Sequence, residues 1–250
     1  MRPDGLGPLY AKGMFIQACL NGNRRLDEHP AVPIGANELA RDAQAARVAG
    51  ASAVHIHPRA SCGRPSLDAK SVASAVSAIR LVCPGLPIGV STTQEIDENL
   101  NRRVGTICAW SVLPDFASVN FWEAGATEIA RSLRDRGVGI EAGVSTPADV
   151  NAFLSSGLQG RCVRVLIEVL WETNVEAALV TADHLLSLLS AANVAEPRLV
   201  HGEDATAWPL LRWGSARGQQ VRMGFEDVLT LPGGGYTSSN TDLIRAAFMN

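Results

Sequence analysis

Cysteine is scarce in this chain and shows no pattern. The five residues Cys19, Cys62, Cys83, Cys108 and Cys162 are odd in number and widely spaced, without a CxxC pair. A disulfide-stapled miniprotein is thereby excluded, and a reducing, cytoplasmic setting is the expectation. An excess of positive charge is also missing. With 22 Lys+Arg against 25 Asp+Glu the net charge is -3, so no broad basic field draws in nucleic acid or an anionic membrane surface. Apolar runs all fall short of the roughly 18 to 20 residues needed to cross a bilayer. Residues 1 to 13 lack the apolar core of a signal peptide, so neither a membrane span nor export is expected. The turn after the first apolar run, Asn21-Gly22-Asn23, is not GxGxxG, which argues against a doubly wound dinucleotide-binding sheet.

The 250 residues are 46% hydrophobic and 19% charged, the balance of a folded globular chain; disorder and collagen are excluded. Short β-branched or apolar runs at 14 to 20, 51 to 58, 86 to 93, 116 to 122, 137 to 144, 161 to 170, 198 to 203 and 220 to 227 read as strands. Helical period follows each of them, at 37 to 49, 68 to 82, 97 to 108, 126 to 136, 147 to 156, 174 to 192, 208 to 217 and 239 to 249. Thr146 before Pro147 predicts a capped helix start, and Asn37 and Asn240 are expected to cap theirs. In the longest helix Leu185, Leu188, Leu189 and Ala192 form the predicted sheet-facing stripe. Eight strand-helix units without a linker predict an α/β chain folded as one (β/α)8 TIM barrel over 1 to 250, with 1 to 13 a flexible or loosely packed extension.

Barrel chemistry sits at the C-terminal ends of the strands. Polar residues expected there are Asn21, His55, His57, Arg59, Ser91, Thr92, Ser118, Asn120, Glu141, His201, Glu203, Arg222, Glu226 and Asp227. Some of these merely mark where strands meet solvent. In His55-Ile56-His57-Pro58-Arg59, alternation along a strand turns both imidazoles and Arg59 toward the mouth. Two such imidazoles suit Zn²⁺ or another divalent metal, or equally a hydrogen-bonded pair lining a pocket.

On the eighth strand, alternation places Arg222, Gly224 and Glu226 on one face. Barrel closure then lets Glu226 complete a two-histidine, one-glutamate set, with Asp227 a free carboxylate base whose pKa the metal and Arg222 depress. A structural Arg222–Glu226 ion pair is the alternative. Amidohydrolase-type barrels carry HxH on the first strand and need further histidines; here it lies on the second, and the chain has only five histidines.

The ordered set AVHIHPR, GRPS (63 to 66), GVSTT (89 to 93), ASVN (117 to 120), RMGFED (222 to 227) and SSNTDLI (238 to 244) resembles the bacterial β-keto acid cleavage enzymes of the 3-keto-5-aminohexanoate cleavage type, as a compact branch. The resemblance implies a zinc-dependent TIM barrel that converts a β-keto acid and acetyl-CoA into acetoacetate and an acyl-CoA. It implies that His55, His57 and Glu226 bind Zn²⁺ and that Asp227 is the base. Arg222 would orient or charge-balance Asp227, with Ser91 and Glu141 in the same network. Ser118 and Asn120 match substrate-holding positions, and Asn21, Arg24, Arg59 and Thr92 join them as candidate substrate contacts. A homo-oligomer is implied as well.

Three departures bear on the substrate. Arg24 stands where the amine-accepting type has a glutamate, which favours an anionic or neutral distal end. The segment after Asn120 is short, so the mouth is expected to be more open there. Glu168 and Glu172 end the sixth strand where many relatives have a Gly-rich turn, and would repel a CoA phosphate. His201 and Glu203 either add acid–base function or hydrogen-bond loops, and the tryptophans are expected in barrel-helix packing. Two other readings stay open: a metal-dependent C–C lyase or hydrolase acting without CoA, and a non-catalytic barrel that binds a metal or small acid.

Overall fold

Eight short parallel strands close on themselves in a computed structural model that describes residues 13–249. The extension expected over 1 to 13 lies, apart from Gly13, outside the described residues. In chain order the elements are β1 (Ile16–Cys19), α1 (Ala36–Ala49), β2 (Ala53–Ile56), α2 (Ala69–Val82), β3 (Ile88–Ser91), α3 (Leu100–Cys108), β4 (Phe116–Asn120) and α4 (Ala126–Asp135). The second half runs β5 (Gly139–Val144), α5 (Pro147–Ser155), β6 (Arg164–Val169), α6 (Val175–Ala191), β7 (Arg198–Gly202), a 3-10 turn (Asp204–Thr206), α7 (Ala207–Ala216), β8 (Gln220–Met223) and α8 (Asn240–Met249). Each strand pairs with its sequence neighbour, and β1 pairs with β8 to close the single (β/α)8 TIM barrel.

The strands are Val-, Ile- and Ala-rich because both of their faces are buried, one by the helices and one by the barrel interior. A polar layer crosses that interior. Gln17 Nε2 and Arg164 Nη1 donate to Glu141 Oε1 at 2.9 and 3.0 Å, and the Arg164 guanidinium lies over the rings of Phe15 and Phe116. Buried polar groups need partners, and this layer pairs Glu141 Oε1 while Glu141 Oε2 and Arg164 Nε have no hydrogen-bond partner.

Several local expectations change in the structure. Thr146 does cap α5, its side chain accepting from the Asp149 amide at 3.3 Å. Asn37, however, lies inside the first turn of α1, because Glu38 Oε2 accepts from the Ile34 and Gly35 amides at 2.8 Å and starts the helix one residue earlier. Asn240 accepts from the Phe225 amide at 2.6 Å and donates to Leu20 O at 2.8 Å, tying the start of α8 to the ends of β8 and β1. The buried stripe of α6 is Ala178, Ala182, Leu185 and Leu189, while Leu188 is half-buried and Ala192 is exposed beyond the helix end.

The eighth strand stops at Met223, four residues before its expected end. From Gly224 the chain turns, with the Asp227 and Val228 amides donating to Gly224 O at 2.9 and 3.0 Å. Glycine is required there, since a β-carbon would lie 2.0 Å from Cys19 O on the adjacent β1. Strand alternation therefore does not govern Glu226.

Candidate active site

A cavity of about 340 Å³ opens at the C-terminal ends of the strands. Its wall holds His55, His57, Ser91, Ser118, Asn120, Arg222 and Glu226 among the expected residues. His55 comes from β2 and His57 from the step beyond it, with ring centroids 5.4 Å apart. Glu226 reaches them from the turn after β8, its Oε1 3.5 Å from His57 Nε2 and its Oε2 3.9 Å from His55 Nε2. Donor atoms of the three residues all lie within 4.8 Å of one another.

Gly22 makes that approach possible. It has φ +51, and a β-carbon on it would sit 2.4 Å from Glu226 Cγ. Asn21 locks the same loop to β2, its Oδ1 accepting from the His57 amide and its Nδ2 donating to His57 O, both at 2.9 Å. Asn23 Oδ1 lies 3.2 Å from His57 Nδ1 and so fixes the ring.

Arg222 holds two carboxylates at once. Its Nη2 lies 2.7 Å from Glu226 Oε1 and 2.6 Å from Asp227 Oδ1, and its Nε donates to the same Asp227 oxygen at 2.9 Å. Burial pushes Glu226 up, but Arg222, His55 and His57 outweigh it and hold its carboxyl well below the usual range. For Asp227 the balance runs the other way. Burial is the larger effect, and its carboxyl stands above the ordinary value although Arg222, as expected, and His201 pull it down. Burial also takes His55 down to about 3, so the ring is neutral and able to offer a lone pair.

Other expected residues sit away from the cavity wall. Arg59 donates to Gly22 O at 2.6 Å and Arg24 O at 3.0 Å, bracing the loop after β1. Thr92 donates to Ser118 O at 2.6 Å, and Thr93 takes the place in the wall. Glu141 is fully buried in the barrel's polar layer, and its bonds go to Gln17 and Arg164. Arg24 does line the cavity, yet its guanidinium is occupied by Glu28 at 3.1 Å and Asp204 at 2.9 Å.

The short loop after β4 is anchored by one carboxylate. Glu123 is buried and accepts from Thr93 Oγ1, the Gln94 amide, Asn120 Nδ2 and Arg103 Nη1 at 2.8 to 3.1 Å. Trp122 beside it lines the cavity and meets Trp171 edge-on, ring centroids 6.3 Å apart. These two tryptophans form the rim, whereas Trp110 and Trp208 pack within the fold, each donating to a backbone carbonyl.

Sequence reasoning underweighted the wall made by β6 and β7. The strand register sets Glu168 beside His201, and both line the cavity with Glu203. His201 Nε2 lies 3.6 Å from Glu168 Oε2, and its Nδ1 lies 3.5 Å from Asp227 Oδ1. Burial raises Glu168 to about 8 and Glu203 to about 7, and lowers His201 to about 4. Glu168 is thus largely protonated at neutral pH and does not supply the negative charge expected of it; half-buried Glu172 accepts from the Asn174 amide. The signal was available in the sequence as HG following the seventh apolar run, but only the parallel register reveals the partner.

The profile of the family described as beta-keto acid cleavage enzyme matches residues 14–249. The chain is 40% identical over 80 residues to a 3-keto-5-aminohexanoate cleavage enzyme of Fusobacterium nucleatum, a match covering 32% of this chain and 29% of that enzyme. It is 24% identical over 247 residues to the 3-keto-5-aminohexanoate cleavage enzyme of Acetoanaerobium sticklandii, covering 93% of this chain and 89% of that one. Among solved structures, apo ObcA superposes with a TM-score of 0.67 at 15% identity, over 86% of this chain and 61% of ObcA. That likeness is one of fold, and the chain spans about three fifths of ObcA's length.

Proposed function

The chain belongs to the beta-keto acid cleavage enzyme family, and on that premise we propose that it cleaves a β-keto acid at a Zn²⁺ centre, with acetyl-CoA as acceptor, giving acetoacetate and a new acyl-CoA. The observation that carries the reading is the convergence of His55, His57 and Glu226 donor atoms within 4.8 Å. The donor set fits a divalent cation: two imidazoles, one held by Asn23, and a carboxylate whose buried Oε2 has no hydrogen-bond partner. When bound, such an ion supplies Lewis-acid polarisation of the keto oxygen and neighbouring carboxylate.

The chain's own groups do the rest. Arg222 engages Asp227 through Oδ1 alone, and the buried Oδ2, which has no partner and stands behind the cavity wall, is the atom assigned to take the substrate proton. Burial, by raising this carboxyl, makes it a stronger base than an exposed aspartate. Arg222 meanwhile keeps Glu226 and Asp227 from repelling one another. Ser91, Ser118 and Asn120 line the cavity and offer hydrogen bonds to the substrate carboxylate. Because Glu28 and Asp204 already balance Arg24, the distal group of the substrate is taken to be uncharged. Asn21, Arg59, Thr92 and Glu141 support the site from behind. A reducing, cytoplasmic setting suits the five unpaired cysteines.

Two measurements test this reading. Elemental analysis is expected to find about one zinc per chain, lost in His55→Ala/His57→Ala with the fold retained. Product analysis with a β-keto acid and acetyl-CoA is expected to yield acetoacetate and acyl-CoA. A metal-free native protein with full activity would overturn the proposal.

A further inference from the structure

On the same cavity wall as the histidine–glutamate set stands a second constellation that acyl exchange leaves unused. Glu168 on β6 and His201 on β7 are register partners whose side chains meet at 3.6 Å, and both are buried and face the cavity. Neither ring nitrogen of His201 has a hydrogen-bond partner. The place for Glu168 is built: Gly143 on β5 leaves a slot in which an added β-carbon would lie 2.7 Å from Glu168 Oε1 and 3.0 Å from Asn120 Oδ1. Asp227 Oδ1 lies 3.5 Å from the far nitrogen of His201, near enough to balance a proton on the ring without a hydrogen bond to it.

Exchange between two acyl groups and CoA generates its own nucleophile, because the thiolate expelled from one acyl group attacks the other. Water, in contrast, is a poor nucleophile until a base removes its proton. We propose that Glu168 and His201 form an acid–base pair that activates water against the keto carbon, so that the chain hydrolyses β-keto acids when no thioester is present. This rests on the keto-acid reading of the same cavity.

The step balances without a further reagent. For R–CO–CH2–COO⁻, the water oxygen bonds to the keto carbon as His201 takes one water proton. The carbon–carbon bond then breaks, its electron pair staying on the CH2 carbon, and Glu168 gives that carbon a proton. His201 returns its proton to Glu168. The products are acetate and R–COOH, which ionises in water. Burial keeps Glu168 protonated and His201 neutral near pH 7, the states these roles require, while making His201 a weaker base than a free imidazole.

Zinc-loaded protein is incubated with 3-oxohexanoate, with and without acetyl-CoA, and products are followed by proton NMR. Acetate and butyrate are expected without acetyl-CoA; spontaneous decarboxylation gives a methyl ketone and is thereby distinguished. In Glu168→Gln and His201→Asn the ratio of hydrolysed to CoA-linked product is expected to fall at least tenfold, whereas a merely structural role lowers both products in proportion. In metal-free protein, nitrogen NMR is expected to find the His201 ring neutral at pH 6, and a charged ring overturns its role as base. Cleavage strictly dependent on acetyl-CoA overturns the hydrolysis and leaves the proposed exchange standing. Should neither variant fold, the native measurement still decides, and absence of all turnover overturns both proposals.

Discussion

Gly22 is the residue on which the metal set depends most sharply. Its φ of +51 and the 2.4 Å distance from a built β-carbon to Glu226 Cγ mean that any side chain must displace the ligand carboxylate or the loop. Gly22→Ala is expected to cost about 1 to 3 kcal/mol of stability from the unfavourable backbone and the clash. Zinc affinity should weaken at least tenfold, read by competition with a chromophoric chelator; unchanged affinity would refute the clearance argument. His55 and His57 were legible because two-residue spacing on a strand is a local rule. Gly22 was not, because its constraint comes from a residue at the opposite end of the chain. Arg59, Asn21 and Thr92 show the converse: their polarity at strand ends was legible, but the backbone groups they satisfy could be identified only in three dimensions.

At the scale of elements, the loop after β4 gains rigidity from one carboxylate. Glu123 joins the loop after β3, α3 and the end of β4, and its partner Arg103 is only 1% exposed. Glu123→Ala strands that guanidinium in the interior and is expected to cost about 3 to 5 kcal/mol. Urea unfolding measures this; a loss below 1 kcal/mol would show that the loop is held by other contacts. The number, order and type of the barrel elements were readable from periodicity, since each helix needs an apolar stripe and each strand a short buried run. Their ends were less so. β8 stops early because the close approach of Gly224 to β1 turns the chain, and α1 starts early because Glu38 captures two amides. A local pattern records which face is apolar, not where a neighbouring backbone intervenes.

Over the whole molecule, the buried acids and imidazoles set how stability responds to pH. Glu168 and Glu203 bind protons more tightly folded than unfolded, with folded values of about 8 and about 7 against an ordinary 4.5. Their contribution is complete below pH 4.5 and is lost as pH rises through those folded values. His55 and His201 are shifted down, to about 3 and about 4 from 6.5, so their contribution is present above 6.5 and is lost as pH falls. Above pH 6.5 the histidine trend has ended and the raised carboxyls dominate. Metal-free protein is expected to lose about 2 kcal/mol between pH 6.5 and 8 from Glu168, at about 1.4 kcal/mol per pH unit. Chemical denaturation across that range checks the sign, and a slope unchanged in Glu168→Gln would refute the assignment.

The bond from Asn240 to Phe225, and from Asn240 back to Leu20, has one more consequence. The turn that presents Glu226 is pinned only after the last helix has met the first strand, although both histidines belong to an early strand–helix unit. During synthesis a nascent chain therefore exposes half a chelating site long before the carboxylate can join it. Capture of the proposed ion would then report that the two ends of the polypeptide have found each other.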